Sequence, residues 1–151
     1  DSMGINYKIP SDMYYAQWLK FMLNVTCNQV SAILRMTFGD MQKNEVFKNF
    51  AREVMQECVE IAKAEGVQNT ETLIPETINL IRGMIPEGKT SMLQDIEAGR
   101  KTEVDIFAGT IVKLGLKHNI PTPYNKILME MIEIIHENQN IKNREIIAAT
   151  K

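Results

Sequence analysis

Apolar residues recur at helical spacing along almost the whole chain. From Ser11 or Asp12, either of which can cap a helix, a run to about Arg35 carries Tyr15, Trp18, Leu19, Phe21, Met22, Leu23, Val25, Ile33 and Leu34. These nearly encircle the helix they predict, which marks it as a central element. Phe38-Gly39-Asp40 predicts a break. A second amphipathic run from about Glu45 to Glu65 keeps three-four spacing through Phe47, Phe50, Val54, Met55, Cys58, Ile61 and Ala62, and Gly66 stops it. Pro75 suits the first turn of a helix through Met84, and Pro86-Glu87-Gly88 reads as a turn. Thr90 to Asp95 predicts a short helix closed by Gly99, and Thr102-Glu103-Val104-Asp105 opens another toward His118. The turn Ile120-Pro121-Thr122-Pro123 begins a last amphipathic helix to about Glu137.

No run shows β alternation with hairpin turn chemistry, and there is neither a repeat nor a shift of composition along the chain. The expectation is an all-α, multi-helix domain over residues 11–137. A linker or appended remnant is expected over 1–10, and a polar tail over 138–151 with a short helix at Glu145–Ala149. The length of 151 residues is that of one domain, and a compact fold of this size buries roughly 70% of its unfolded surface.

Charge and composition narrow the function. A formal charge of −2, with acids and bases interspersed, argues against a nucleic-acid surface. No stretch approaches the ~20 apolar residues needed to cross a bilayer, and no basic-then-apolar leader is seen. Cys27 and Cys58 are too few for a disulfide framework and lack metal spacing, so no metal site is expected. Both read as buried, reduced thiols in a cytoplasmic protein. His118 and His136 lack a ligand or nucleophile partner at usable spacing and take solvent or structural roles. Ten methionines are explained by core filling more readily than by a groove. No Gly-rich turn follows a strand, which excludes a dinucleotide fingerprint and a phosphate loop from these residues.

One polar line stands out against the apolar first helix. Lys20, Asn24 and Asn28 recur every four residues, so each step turns about 40° and all three share a side. An ammonium and two carboxamides in a row suit a small polyoxygenated molecule. Together with Gln17, Ser31 and Arg35 they equally describe the wet face of a helix. Ser91-Met92-Leu93-Gln94 fits a capping box, and the same geometry suits a carboxylate. Glu103 either complements a helix dipole after Thr102 or, if buried beside Lys20, helps to keep that lysine charged.

The order of these residues is more specific than any one of them. Trp18-Leu19-Lys20, Asn24 and Asn28 are followed by Glu57 and Ala62, then by Ser91-Met92-Leu93-Gln94-Asp95. Gly99-Arg100-Lys101-Thr102-Glu103-Val104-Asp105, Gly109 and His118-Asn119-Ile120-Pro121-Thr122-Pro123 complete the series. The set resembles the C-terminal domain of the ketopantoate reductase (2-dehydropantoate 2-reductase) family, from about Ser11 to Glu137. The fold implied is the helical domain of 6-phosphogluconate dehydrogenase-like reductases. The activity implied is NADPH-dependent reduction of 2-dehydropantoate to pantoate, on the route to pantothenate and coenzyme A.

In that resemblance Lys20 is the general acid and Glu103 the acidic residue near the reacting centre. Asn24 and Asn28 orient substrate hydroxyl and carbonyl groups, and Ser91 binds the carboxylate. NADPH is held mainly by an N-terminal Rossmann domain absent from these residues, so the chain alone is expected to be inactive or nearly so. The implied partners are a small 2-oxo acid, that Rossmann domain and a second copy in a homodimer. Some members carry asparagine where Gly88 stands, three positions before the serine, so one side-chain contact is missing here. Two alternatives remain: a reductase of a different 2-oxo acid, and a non-catalytic helical dimerisation module.

Overall fold

Why the first helix is central is visible in its burial. In the computed structural model, which describes residues 11–151, α1 runs Ser11–Leu34. Met22, Val25, Cys27, Val30 and Ala32 on it are almost wholly enclosed. It packs against four other helices. The linker expected over 1–10, and the side-chain cap expected of Ser11 or Asp12, lie outside the described residues. Arg35 adopts a left-handed φ of 57°, ending α1.

A short helix α2, Phe38–Lys43, then occupies the expected break. Thr37 caps it through Asp40, each side chain bonding the other residue's backbone. Gly39 is tolerated inside α2 because the Pro86–Gly88 turn lies against it. Its N–H donates to Pro86 O at 2.7 Å, and a Cβ there would stand 2.9 Å from that same oxygen. Asn44 closes α2 and caps α3, Glu45–Ala64, by accepting from Phe47 N at 2.9 Å. Gly66, at a φ of 84°, lets the chain leave α3 where the sequence predicts.

A single 3₁₀ turn, Thr70–Thr72, leads into α4, Leu73–Arg82. Helix α5 is Ser91–Glu97, and Gly99 with a φ of 69° turns the chain beyond it. Helix α6 is Ala108–His118, later than expected. The Thr102–Asp105 stretch forms turns instead, in which Val104 O accepts from both Phe107 N and Gly109 N. Helix α7, Pro123–Ala149, begins at the expected Pro123. It continues through the stretch expected to be a polar tail, where every residue from Ile141 onward is exposed. Among the described residues there is no strand, as an all-α domain requires.

The starts of α6 and α7 have no local side-chain cap. Gln29 of α1 serves α6: its Oε1 accepts from Ala108 N at 2.8 Å while its Nε2 donates to Val25 O at 2.8 Å. Glu57 of α3 serves α7. Its buried carboxylate accepts from Tyr124 N at 2.7 Å, Asn125 N at 3.0 Å and Asn125 Nδ2 at 2.8 Å. These N–H groups have no partner within their own helix, so a distant carboxylate and carboxamide fix where both helices enter the core.

The α6–α7 turn is equally tight. A Cβ at Gly115 would lie 2.7 Å from Ile120 O and 2.9 Å from Thr122 Cγ2. Ile120 N also donates to Gly115 O at 2.8 Å, so the two segments cannot easily part. Gly115→Ala is expected to lower stability by about 1–3 kcal/mol, despite the ~1 kcal/mol that alanine gains in helix propensity. A thermal melt reads this as a fall in Tm of several degrees, and an unchanged Tm would show that the turn yields.

Candidate active site

The polar line on α1 does not stay at the surface. Lys20 is exposed, Asn24 half-buried and Asn28 buried at 7% exposure, and Ser31, one turn further, is fully enclosed. A wet helix face would be open along its length. Gln17 and Arg35 at the two ends are exposed, but the middle of the line passes under neighbouring elements.

One of those elements is α5. Ser31 Oγ donates to Asn28 O at 3.0 Å and shares a 2.6 Å hydrogen bond with Thr90 Oγ1. Thr90, not Ser91, is the cap of α5: its Oγ1 accepts from Leu93 N at 3.2 Å. The expected capping box therefore moves back by one residue, because only threonine at 90 sits in the extended conformation facing α1. Gln94 bonds Lys89 O rather than the cap backbone. Ser91 is left in the first turn, exposed, with its hydroxyl making no hydrogen bond to the described residues. Two hydrogen bonds thus lead from the Asn28 carbonyl to Thr90, the residue beside Ser91.

The other element is the turn segment that carries Glu103. Thr102 and Val104 are buried and pin it from both sides, while Glu103 itself points out, exposed. Phe107, at the end of this segment, lies 6.4 Å from the Phe21 ring, and Phe21 in turn meets Trp18 edge-on at 5.5 Å. That aromatic contact holds the segment against the turn of α1 that carries Lys20. Lys20 nevertheless forms no ion pair with Glu103 or any other described carboxylate. Glu103 is not buried beside the lysine, since its two neighbours occupy the interior. None of the five groups hydrogen-bonds another, and none of their side chains has a hydrogen-bond partner among the described residues, although the elements bearing Ser91 and Glu103 both pack against α1.

Gly88 also has a structural reason. A Cβ there would meet Ile85 O at 3.0 Å and the Phe38 ring at 3.1 Å, and Phe38 N donates to Gly88 O at 3.0 Å. A longer side chain requires the Phe38 ring to move.

The remaining reactive groups are occupied or inert. Cys27 is free and enclosed, and burial pushes its thiol up to about 12. Burial, reinforced by Glu57, raises Cys58 further. Neither is a nucleophile at neutral pH. His118 Nε2 lies 2.8 Å from Glu65 Oε1, and this hydrogen bond holds the Glu65 carboxyl below the usual range. His136 accepts from Thr102 N at 3.3 Å. Both histidines thus have structural partners. No group of metal-binding side chains occurs among the described residues, and no described helix is long and apolar enough to cross a membrane.

Sequence reasoning passed over Gln29 and Thr90 and gave Glu57 no role. The signal for Gln29 is a carboxamide set in an apolar helix interior. The sequence pattern points to Ser91 as the cap, whereas Thr90 takes that role.

Comparison with known proteins agrees with this architecture. The family described as "Ketopantoate reductase PanE/ApbA C terminal" matches residues 12–136. The 2-dehydropantoate 2-reductase of Archaeoglobus fulgidus is 28% identical over 129 residues, which cover 85% of this chain and 43% of that protein. A PanE/ApbA family ketopantoate reductase from Ralstonia eutropha JMP134 superposes with a TM-score of 0.76 at 32% identity, covering 83% of this chain and 42% of that one. A dimeric ketopantoate reductase from Staphylococcus aureus gives 0.75 at 27%, covering 82% and 43%. The chain spans less than half the length of these relatives.

Proposed function

The chain belongs to the ketopantoate reductase C-terminal family, and we propose that it is the substrate-binding and proton-donating half of an NADPH-dependent 2-dehydropantoate 2-reductase. The reaction yields pantoate, on the way to pantothenate and coenzyme A. The observation that carries this reading is the Asn28–Ser31–Thr90 chain of hydrogen bonds, which brings an unengaged Ser91 to the buried end of the polar line. Lys20 delivers the proton to the carbonyl oxygen, and its ammonium stabilises the alkoxide as it develops. Asn24 and Asn28 hold the hydroxyl and carbonyl groups, Ser91 takes the carboxylate, and Glu103 polarises the lysine and positions the ligand.

Among the described residues no strand leads through a Gly-rich turn into a helix, so they do not fit a dinucleotide pyrophosphate. NADPH, the source of the hydride, is assigned to a Rossmann domain of the parent protein. That domain and a second copy of the protein are the proposed partners. The proposed compartment is the cytoplasm, a reading that two buried, unpaired cysteines support. A second reading, reduction of a different 2-oxo acid, rests on Gly88, where no side chain reaches toward substrate.

Calorimetry of the chain with 2-dehydropantoate, alongside a cofactor-oxidation assay, tests the proposal. The chain is expected to bind the acid weakly, to lose that binding in Lys20→Ala and Ser91→Ala, and to oxidise no NADPH above background. Robust turnover would refute the division of labour. No binding of any 2-oxo acid by a folded chain would favour the helical dimerisation module, and a preference for another 2-oxo acid would favour the second reading.

A further inference from the structure

We infer that His136 of α7 is a positioning residue for Glu103, setting where that carboxylate stands relative to α1. The inference rests on the role proposed above for Glu103 and names the group that keeps it in place. His136 Nε2 accepts from Thr102 N at 3.3 Å, and Thr102 immediately precedes Glu103. Thr102 is 5% exposed, and its N–H donates to no backbone carbonyl among the described residues. Its own hydroxyl oxygen is enclosed and makes no hydrogen bond either. The imidazole is therefore the acceptor on which this buried N–H depends.

Packing alone does not fix the segment. Between Ile96 on α5 and Thr102, every residue from Glu97 to Lys101 is exposed. A cavity of about 220 Å³ separates this loop from α7, lined by Gly99, Lys101, His136, Gln139 and Asn140. Two side chains of α7 tie down its ends. His136 holds Thr102, while Gln139 Nε2 donates to Ile96 O at 3.2 Å. Gln139 follows His136 by three residues, so both bonds leave one face of the helix. They fasten α5, which opens with Ser91, and the start of the Glu103 segment to a single helix. Val104 is buried on the far side of Glu103, so with the ring in place that residue is held from both directions. Without the ring the Thr102 N–H must turn toward solvent for an acceptor, and the backbone rotation swings the next side chain. A misplacement of about 1 Å can cost ~10²-fold in rate at a reacting centre.

Steady-state kinetics of the full-length protein with 2-dehydropantoate and NADPH test this on His136→Leu, Glu103→Gln and the double variant. His136→Leu is expected to fold, because the ring is only partly buried and leucine suits a helix. It is expected to lower kcat about tenfold with a smaller change in KM. His136→Gln, which can place a carbonyl oxygen near the position of Nε2, is expected to regain most of that loss. Because His136 acts through Glu103, the double variant is expected to be no slower than Glu103→Gln alone. Amide hydrogen exchange at Thr102 in this chain, a readout independent of the reaction, is expected to quicken in His136→Leu but not in His136→Gln. Unchanged exchange in His136→Leu would overturn the proposal. So would an unchanged kcat, a loss that His136→Gln does not rescue, or losses that multiply in the double variant, and each of these leaves the role of Glu103 standing. A Glu103→Gln enzyme of normal kcat and KM would overturn that role, and the proposal with it.

Discussion

Lys20→Ala in the full-length protein is expected to lower kcat by roughly 10²–10⁴-fold, the range that a positioned proton donor contributes, with a smaller change in KM. The side chain is exposed and makes no ion pair with the described residues, so its removal takes nothing from the core. The melting temperature should therefore stay put, and steady-state kinetics alone should register the loss. Lys20→Arg separates charge from proton transfer. A guanidinium keeps the positive charge but does not release its proton near neutrality, so it is expected to retain binding and still lose most of kcat. A variant that keeps kcat within a few-fold would remove Lys20 from the chemistry and leave it as a surface lysine. Restored activity in Lys20→Arg would reduce its role to electrostatics.

The largest stability effect is expected at Glu57. Its carboxylate, 8% exposed, accepts three N–H donors at the start of α7. Glu57→Ala strands those donors inside the protein, where each costs about 1–3 kcal/mol, partly relieved by water entering the space left behind. A net loss of about 3–5 kcal/mol follows, read as a drop of roughly 6–20 °C in Tm or a lower urea midpoint at unchanged slope. Glu57→Gln keeps one carbonyl acceptor and is expected to lie between the two. A loss below about 1 kcal/mol in Glu57→Ala would show that the α7 start is held by packing instead.

The contrast between these residues shows where the sequence was legible. Lys20, Asn24 and Asn28 were found because a four-residue recurrence on a strongly apolar helix is a local signal. The sharp ends of α1 and α3 were equally local, set by residues 35 and 66 at positive φ. The start of α6 was misread because Thr102-Glu103-Val104-Asp105 imitates a helix opening, while the donor at Ala108 is satisfied by Gln29, 79 residues earlier. The short α2 was missed because Gly39 reads as a break until Pro86 is known to press against it. The continuation of α7 beyond Glu137 was missed because burial ceases there, and with it the periodicity that predicts a helix. At the candidate site the sequence named the groups but not the cap: Thr90 prevails over Ser91 through its bond to Ser31, 59 residues away.

The reach of Gln29 and Glu57 bears on how this domain can be recombined. Helices α6 and α7 each borrow a cap from an earlier part of the chain, so either one transplanted singly into a relative would arrive without its anchor. The host, in turn, would be left with an orphaned carboxamide or carboxylate. The smallest unit that can be exchanged between family members therefore runs from α1 to the first turns of α7, and chimeras should be cut outside it.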